Sequence, residues 1–577
     1  MHTATESTGA HVIVETLWNL GSRRIYLFPG GTIAPILDVA VTRNMELVVS
    51  RHEQAAGFMA MAEARLTRAP AVVAATSGPG ATNLLTAVAD AYFDSCPLIV
   101  LTGQVSTPDL ARPLSLRQRG FQECRTAEIY ASVTKAVFEP TDTVNIQQIV
   151  MEAWSIASSG RPGPVLIDLP MDVQRAHATA SRLSSPENEK NTQLRDSSRP
   201  NFKELFRTCK RPLLLVGHGV MSSGKALAHL RQLTEENRVP SVTSIRALGA
   251  ISHSCPTHLG FLGHTGFSSA GKVIQDADLL LVIGSRLDVR QTGTEVKDFG
   301  RNARILRFDI DVTELQNTRI EHSENYNLSA EIALEYILDA VNDAGDHHFD
   351  EWVDYCVSRR REDPLWIKFQ HSEPSESAVS AMDPETILAL IGRTTLENPL
   401  THFVTGVGSH QQWAARMLPH DVRKNRWHSS TGHGTMGFDI PSSNGLRLAD
   451  PESKIICLVG DGSLLMNIQE LAVTRELGGP TAIIVIDNGR FGIVSQFQRH
   501  TFGRDPSGQL PREDFVAIAE AFGVRARRVD DWSGVKQMCL ELPHLTEPVL
   551  FQVVVDADAD VSPMLMGGQK LDAMWSR

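Results

Sequence analysis

Short apolar runs alternate with helix-like stretches along most of the chain, and the runs show no inside-out alternation. Such runs read as strands buried on both faces of a parallel sheet. The clearest case lies between Lys454 and Val494. Residues 455–459 read as a strand, and Gly460-Asp461-Gly462 follows where it would turn. Residues 463–477 carry apolar side chains near a helical period and read as one helix, stopped by Gly478, Gly479 and Pro480. The next strand is 482–486, which leads into Asp487-Asn488-Gly489.

The same rhythm runs from residue 9 to about 176. It predicts helices over 11–20, 33–40, 54–65, 81–91 and 145–157, and strands over 24–28, 47–50, 71–76, 98–102 and 165–169. Residues 177–200 are polar and rich in Ser, Asn and Glu, which marks a linker. A second unit has strands over 213–216, 239–244, 279–283 and 305–309, and a helix over 226–235. Residues 346–380 are charged with scattered aromatics and read as a helical linker. A third unit adds a helix over 384–390, a strand over 403–407, a helix over 515–522 and a last strand over 550–555. The expectation is an α/β chain of three doubly wound parallel-sheet domains, 1–176, 201–345 and 381–577, with linkers 177–200 and 346–380.

Composition narrows the class. A chain of 577 residues is too long for one core. The net charge of −12, with both signs mixed, favours neither nucleic acid nor an anionic membrane as partner. The seven cysteines form no CxxC pair, which argues against a disulfide scaffold or structural zinc. The N-terminus has no apolar core of signal length and no plastid or mitochondrial targeting segment is visible, so a cytoplasmic location is expected.

Candidate chemistry lies at the strand ends, where open parallel sheets bind ligands beside helix N-termini. Asp461 and Asn488 offer oxygens suited to Mg2+ or Ca2+. Gly462 and Ser463 make a small turn whose amides could approach a diphosphate. A plain turn capped by Asp461 would use the same residues. Glu53 follows a buried strand and is flanked by Ala55, Ala56 and Gly57. A carboxylic acid there is expected to have a raised pKa and to exchange a proton, although a helix N-terminal charge explains it equally. The glycine turns of the middle unit lack the GxGxxG spacing of dehydrogenases.

Gly460-Asp461-Gly462 with Asn488 placed 27 positions after Asp461 resembles the metal-diphosphate motif of thiamine diphosphate enzymes. That resemblance implies Mg2+ held by Asp461, Asn488 and the main-chain oxygen of Arg490. The run RHEQAAGFMAMAEARLTRAPAVVAATSGPGATNLLTAVADAYFDSCPLIVLTGQV, starting at Arg51, closely resembles the first domain of acetolactate synthase (acetohydroxyacid synthase) catalytic subunits. It implies that Glu53 contacts N1′ of the cofactor's aminopyrimidine. Pro29-Gly30-Gly31 resembles the family's cofactor loop, and Phe121-Gln122-Glu123 its segment whose Gln lies near reacting groups. Lys135 matches a recurrent Lys. GSRLDVRQTG at 284–293 and DIDVTEL at 309–315 resemble segments of the family's FAD domain. They imply Gly217, Gly219, Arg286, Asp288 and Asp309 as flavin-side residues, with Arg290 orienting a substrate carboxylate.

In the third unit, Gly408-Ser409-His410 and STGHGTMGFDIPSSNG at 430–445 resemble cofactor segments. Gly434 is placed beside the cofactor and Met436 props its bent shape. GRFGIVSQFQ at 489–498 puts Val494 near the aminopyrimidine and Phe497 where the family has a Trp shaping the pocket for the second keto acid. The C-terminal VSPMLMGGQKLDAMW resembles an arm that closes over the site. Departures from the family are Met171, His264, Val289, Ser409, His433, Asp439, Ser442-Ser443-Asn444 and Gly567. Altogether the resemblance implies acetolactate formation from pyruvate or another 2-keto acid. FAD would be bound without net redox use. A homodimer or homotetramer would carry sites between subunits, with a small regulatory subunit as a further partner. The rival expectations are a diverged carboligase or decarboxylase with another acceptor, and a catalytically degenerate homologue acting as a partner protein.

Overall fold

A computed structural model describes residues 7–110, 115–178, 199–317, 319–345, 349–373, 382–396, 400–423, 425–574 and 576. Most of the expected linker 177–200, and residues 346–348 and 374–380 of the second one, lie outside the described residues.

Three six-stranded sheets organise the chain, every strand pair parallel. In the first, β1 (Arg24–Leu27), β2 (Glu46–Val49), β3 (Ala71–Ala75), β4 (Leu98–Gln104), β5 (Ala136–Phe138) and β6 (Val165–Pro170) stand in the order β2-β1-β3-β4-β6-β5. In the second, β7 (Pro212–Val216), β8 (Ser241–Thr243), β9 (His258–Phe261), β10 (Leu279–Ile283), β11 (Arg304–Asp309) and β12 (Ser323–Asn327) stand in the order β12-β11-β10-β7-β8-β9. In the third, β13 (Thr401–Thr405), β14 (Asn425–Ser429), β15 (Lys454–Gly460), β16 (Thr481–Asp487), β17 (Arg525–Val529) and β18 (Val549–Val554) repeat the order of the first, β14-β13-β15-β16-β18-β17. The outer sheets therefore change direction between β1 and β3, and between β13 and β15. The middle sheet has the dinucleotide-binding order and changes direction between β7 and β10.

Five helices bear on the site: α1 (Glu53–Thr67), α2 (Pro79–Phe93), α3 (Ser409–Met417), α4 (Asp439–Ala449) and α5 (Gly492–Phe502). Helix α1 is buried nearly all round, which suits its run of Ala, Gly and Met. A Cβ on Gly57 would collide with Ala87 of α2, and one on Gly445 of α4 with the Met59 carbonyl. Glycine at these two places lets α1 lie tightly between the first and third domains.

Two stretches differ from expectation. The helix expected over 463–477 is broken into Asp461–Leu464, the 3-10 turn Ile468–Glu470, and Leu471–Leu477. Asn467 at the break donates to the Gly437 carbonyl at 2.7 Å and to Gln54 Oε1 at 3.0 Å. Its side chain competes with the helical ladder and wins through cross-domain partners. The segment expected as a helical linker holds helices Asp350–Glu362 and Pro364–His371. Its aromatics are buried in the core of the middle domain, with Trp352 Nε1 donating to the Pro212 carbonyl.

Asp94, just after α2, joins all three domains. Its carboxylate accepts from Arg65 Nη2 at 2.7 Å and the Gly432 amide at 2.8 Å and forms an ion pair with Arg246 Nη1 at 2.5 Å, while its main-chain carbonyl accepts from Arg246 Nη2 at 2.6 Å. Arg65 and Arg246 hold its pKa low against the cost of burial, whereas neighbouring Asp90 is pushed up by burial and by Asp94 itself. A depressed folded-state pKa stabilises above the unfolded value of 3.8 and is lost as pH falls through the depressed one. Asp94→Ala is expected to cost about 3–5 kcal/mol by leaving two guanidinium groups buried and unpaired. Thermal unfolding between pH 6 and pH 3 should show wild type losing more stability on acidification than Asp94→Asn.

Candidate active site

The first half-site occupies the switch point between β1 and β3. Glu53 begins α1, is 7% exposed, and accepts at Oε2 from Asn83 Nδ2 of α2 at 3.1 Å. Gly80 faces its other oxygen. The loop Pro29-Gly30-Gly31 follows β1. Gly30 packs on Thr76, Gly31 faces open space, and Thr32 Oγ1 lies 2.8 Å from Thr76 Oγ1. The Ser77 amide donates to Thr32 Oγ1 at 2.9 Å, so the loops after β1 and β3 are tied together.

Gln122 stands beside this half-site in a left-handed conformation, φ 61°, with its backbone against Gly78. A non-glycine residue in that region costs about 1–2 kcal/mol, so the loop needs external support. Gln104 at the end of β4 supplies it. Its Nε2 donates to the Cys124 carbonyl at 2.7 Å and to Asp168 Oδ2 at 3.0 Å, and its Oε1 accepts from the Val105 amide. Burial pushes the Asp168 carboxyl up to about 7 even though Thr102 and Gln104 donate to it. Lys135 lies elsewhere, with its ammonium on the Ile156 and Ser159 carbonyls at the end of the helix Ile146–Ser158.

The second half-site occupies the switch point between β13 and β15. Asp461 is buried, and its two oxygens accept from the Gly462 and Gly489 amides at 2.9 and 2.8 Å. Burial, with buried Asp487 nearby, pushes its pKa to about 6. Asn488 is buried and accepts from the Arg490 amide at 3.1 Å. The Arg490 side chain turns away to Asp505 and Asp558. On the facing loop, Gly408 leads into α3, where Ser409 Oγ and His410 Nε2 are buried without a hydrogen-bond partner. Gly462 has no space for a side chain beside Phe491. Gly434 has φ 77°, and Met436 next to it is half-buried. Two buried carboxylates, an amide oxygen and two orphaned polar atoms form a donor set that fits a divalent cation with phosphate oxygens. Val494, Phe497, Phe502 and Met466 are 44%, 51%, 60% and 49% exposed on the rim.

The middle domain forms a crevice at its own switch point. Gly217 and Gly219 pack directly on Gly284, and Arg246, Arg286, Asp288, Arg290 and His264 line the opening. Asp288 caps the short helix after β10 by accepting from the Arg290 amide at 2.8 Å. His264 is half-buried, and its ring is pushed down to about 3 by desolvation and the nearby arginines. Asp309 is not in the lining. It accepts from the Asp311 amide, and Asp311 pairs with Arg161 of the first domain.

Matches to known proteins cover all three units. The "Thiamine pyrophosphate enzyme, N-terminal TPP binding domain" matches residues 7–129, the central domain 201–332 and the C-terminal TPP binding domain 406–553. The Escherichia coli acetolactate synthase isozyme 2 large subunit is 32% identical over 97% of this chain and 98% of its own length. The chain belongs to the acetolactate synthase family of thiamine diphosphate enzymes. The Escherichia coli isozyme 1 large subunit is 34% identical over 97% of this chain and 96% of its own length. A chloroplastic acetolactate synthase 2 of Zea mays is also 34% identical, over 97% of this chain and 87% of its own length. Among the described residues no helix of this acetolactate synthase homologue is long and apolar enough to cross a membrane.

Sequence reasoning missed Asn83, Gln104, Asp168 and Asp487. Each acts through a partner distant in sequence or through burial. Asp487, beside Asn488, and Gln104 had a local sign in their place at a strand end. Gln104→Ala is expected to free the Cys124 carbonyl and speed amide hydrogen exchange over residues 119–124 at least about tenfold. Gln104→Glu, which retains an acceptor for Val105 but places a second carboxylate beside Asp168, should speed it as well.

Proposed function

We propose that this protein joins two 2-keto acids, with pyruvate decarboxylated and condensed to 2-acetolactate. The observation that carries the reading is the pair of half-sites, one buried carboxyl held by Asn83 at the first switch point and one donor set suited to a cation and phosphate at the third. Bound thiamine diphosphate would supply the acidic carbon and electron-accepting ring that decarboxylation requires. Asp461, Asn488 and the Arg490 carbonyl would hold Mg2+, and Ser409 and His410 would face the diphosphate. Glu53 moves a proton at N1′ of the aminopyrimidine, and Asn83 orients its carboxyl by a hydrogen bond at 3.1 Å. Met436 and Val494 would lie against the cofactor, Gln122 would lie toward the reacting groups, and Arg290 would present a fork suited to a substrate carboxylate.

Exposed Val494, Phe497 and Met466 support a homodimer or homotetramer whose partner covers this rim. The crevice with Gly217, Gly219, Gly284 and Arg286 has the sheet order of a dinucleotide site, which supports FAD there. A small regulatory subunit and a role in branched-chain amino acid synthesis in the cytoplasm complete the reading. The second reading is a related carboligase with another acceptor. Phe497 favours it, because Phe offers less area than the Trp of the family.

Two experiments test this. Purified protein given Mg2+, thiamine diphosphate and pyruvate, with and without FAD, should form acetolactate by mass spectrometry. Inert pyruvate with turnover of another keto acid would favour the second reading. Glu53→Gln should bind the cofactor with near wild-type affinity yet slow exchange of its C2 proton at least about a hundredfold. Unchanged exchange would remove Glu53 from the role.

A further inference from the structure

We propose that Asp439 is a resident anion of the diphosphate cradle. It weakens the grip on thiamine diphosphate and makes that grip depend on the divalent cation. The inference rests on the cofactor reading above.

Asp439 opens α4 and is 1% exposed. It lies between the ends of β13 and β15, the strands that flank the third switch point. Oδ1 accepts from the Gly406 amide, the first residue beyond β13, and Oδ2 accepts from Ser463 Oγ at 2.6 Å. Both oxygens therefore act as acceptors, the pattern of an ionised carboxylate. No side chain fits on Gly406, where a Cβ would lie 2.6 Å from Asp439 Oδ2.

Counting donors gives the consequence. A serine hydroxyl has one hydrogen. Ser463 spends it on Asp439, and its oxygen accepts from the Gly437 amide at 2.9 Å. The Ser463 hydroxyl therefore has no hydrogen left for a phosphate oxygen, and of this residue only the main-chain amide remains to approach one. The Gly406 amide is committed in the same way. On the facing helix, Ser409 Oγ and His410 Nε2 are the side-chain atoms buried without a partner.

Charge acts in the same direction. Among the described residues no lysine or arginine pairs with Asp439, and the one basic side chain within reach is the His410 imidazole, its Nε2 3.6 Å from Asp439 Oδ1. A diphosphate entering the cradle meets a buried negative charge with little compensation. The cation at Asp461 and Asn488 must then carry most of the attraction.

Titration calorimetry with the full-length protein tests this. Thiamine diphosphate is titrated into wild type, Asp439→Asn and Asp439→Gly, each at several Mg2+ concentrations. Asp439→Asn keeps the shape and removes the charge. It should bind at least about tenfold more tightly and need less Mg2+ for half-maximal binding. Asp439→Gly, which also frees Ser463, should gain as much or more. Equal or weaker binding by a folded Asp439→Asn, with unchanged circular dichroism, would overturn the inference and make Asp439 a strut for Ser463 and Gly406. If wild type binds and only the inference fails, the cofactor reading stands. Binding by none of the three proteins would remove both.

Discussion

The arrangement of three sheets depends on one buried carboxylate. The Asp94 carboxylate takes hydrogen bonds from Arg65 in the first domain and the Gly432 amide in the third and pairs with Arg246 in the second, which also donates to the Asp94 carbonyl. Each sheet has its own apolar core, and parallel sheets covered by helices do not dictate how neighbouring domains should be oriented. Directional, charge-assisted bonds do that work. Asp94 also fixes where the loop 430–436 begins, and so where Gly434 and Met436 stand relative to α2. The same joint passes through Arg246 into the middle crevice, whose lining it shares with Arg286 and Arg290.

The two half-sites follow from sheet topology. In the first and third sheets the direction reverses between the first and third strands, and the loops on either side splay apart. That gap receives Glu53 and its loops in one domain and Asp461, His410 and Asn488 in the other. Contacts across the domain boundary run close to both. Glu470 accepts from the Arg51 amide at 2.8 Å, and Asn467 donates to Gln54. Residues on either side of Glu53 are thereby tied to the segment that follows Asp461.

Much of the fold was legible because central strands are buried on both faces and read as unbroken apolar runs. Strands such as 279–283 and 455–459 stood out for that reason. The edge strands β5, β9, β12, β14 and β17 did not. β12 is SENYN and β17 is RARRV, each pairing on one side only and keeping polar residues outward. The broken helix after Asp461 was hidden because the cause is Asn467, whose partners Gln54 and Gly437 are far away in sequence. For the site, the residues that end strands could be named from position alone. Their supports could not. Asn83 reaches Glu53 across a helix pair, and Asp94 reaches Gly432 across the length of two domains. Asp439 was visible as a departure from the family, but its consequence needed the position of the Ser463 hydroxyl.

Helix α2 has a property that emerges only when its two ends are considered together. Its 15 residues span about 22 Å. Asn83 near one end touches the Glu53 carboxyl, and Asp94 just past the other grips the loop that carries Met436. A helix does not compress over that length, so the spacing between Glu53 and the loop that carries Met436 is set by a rigid rod rather than by the softer packing of domain surfaces. Any motion that opens one end must tilt the other.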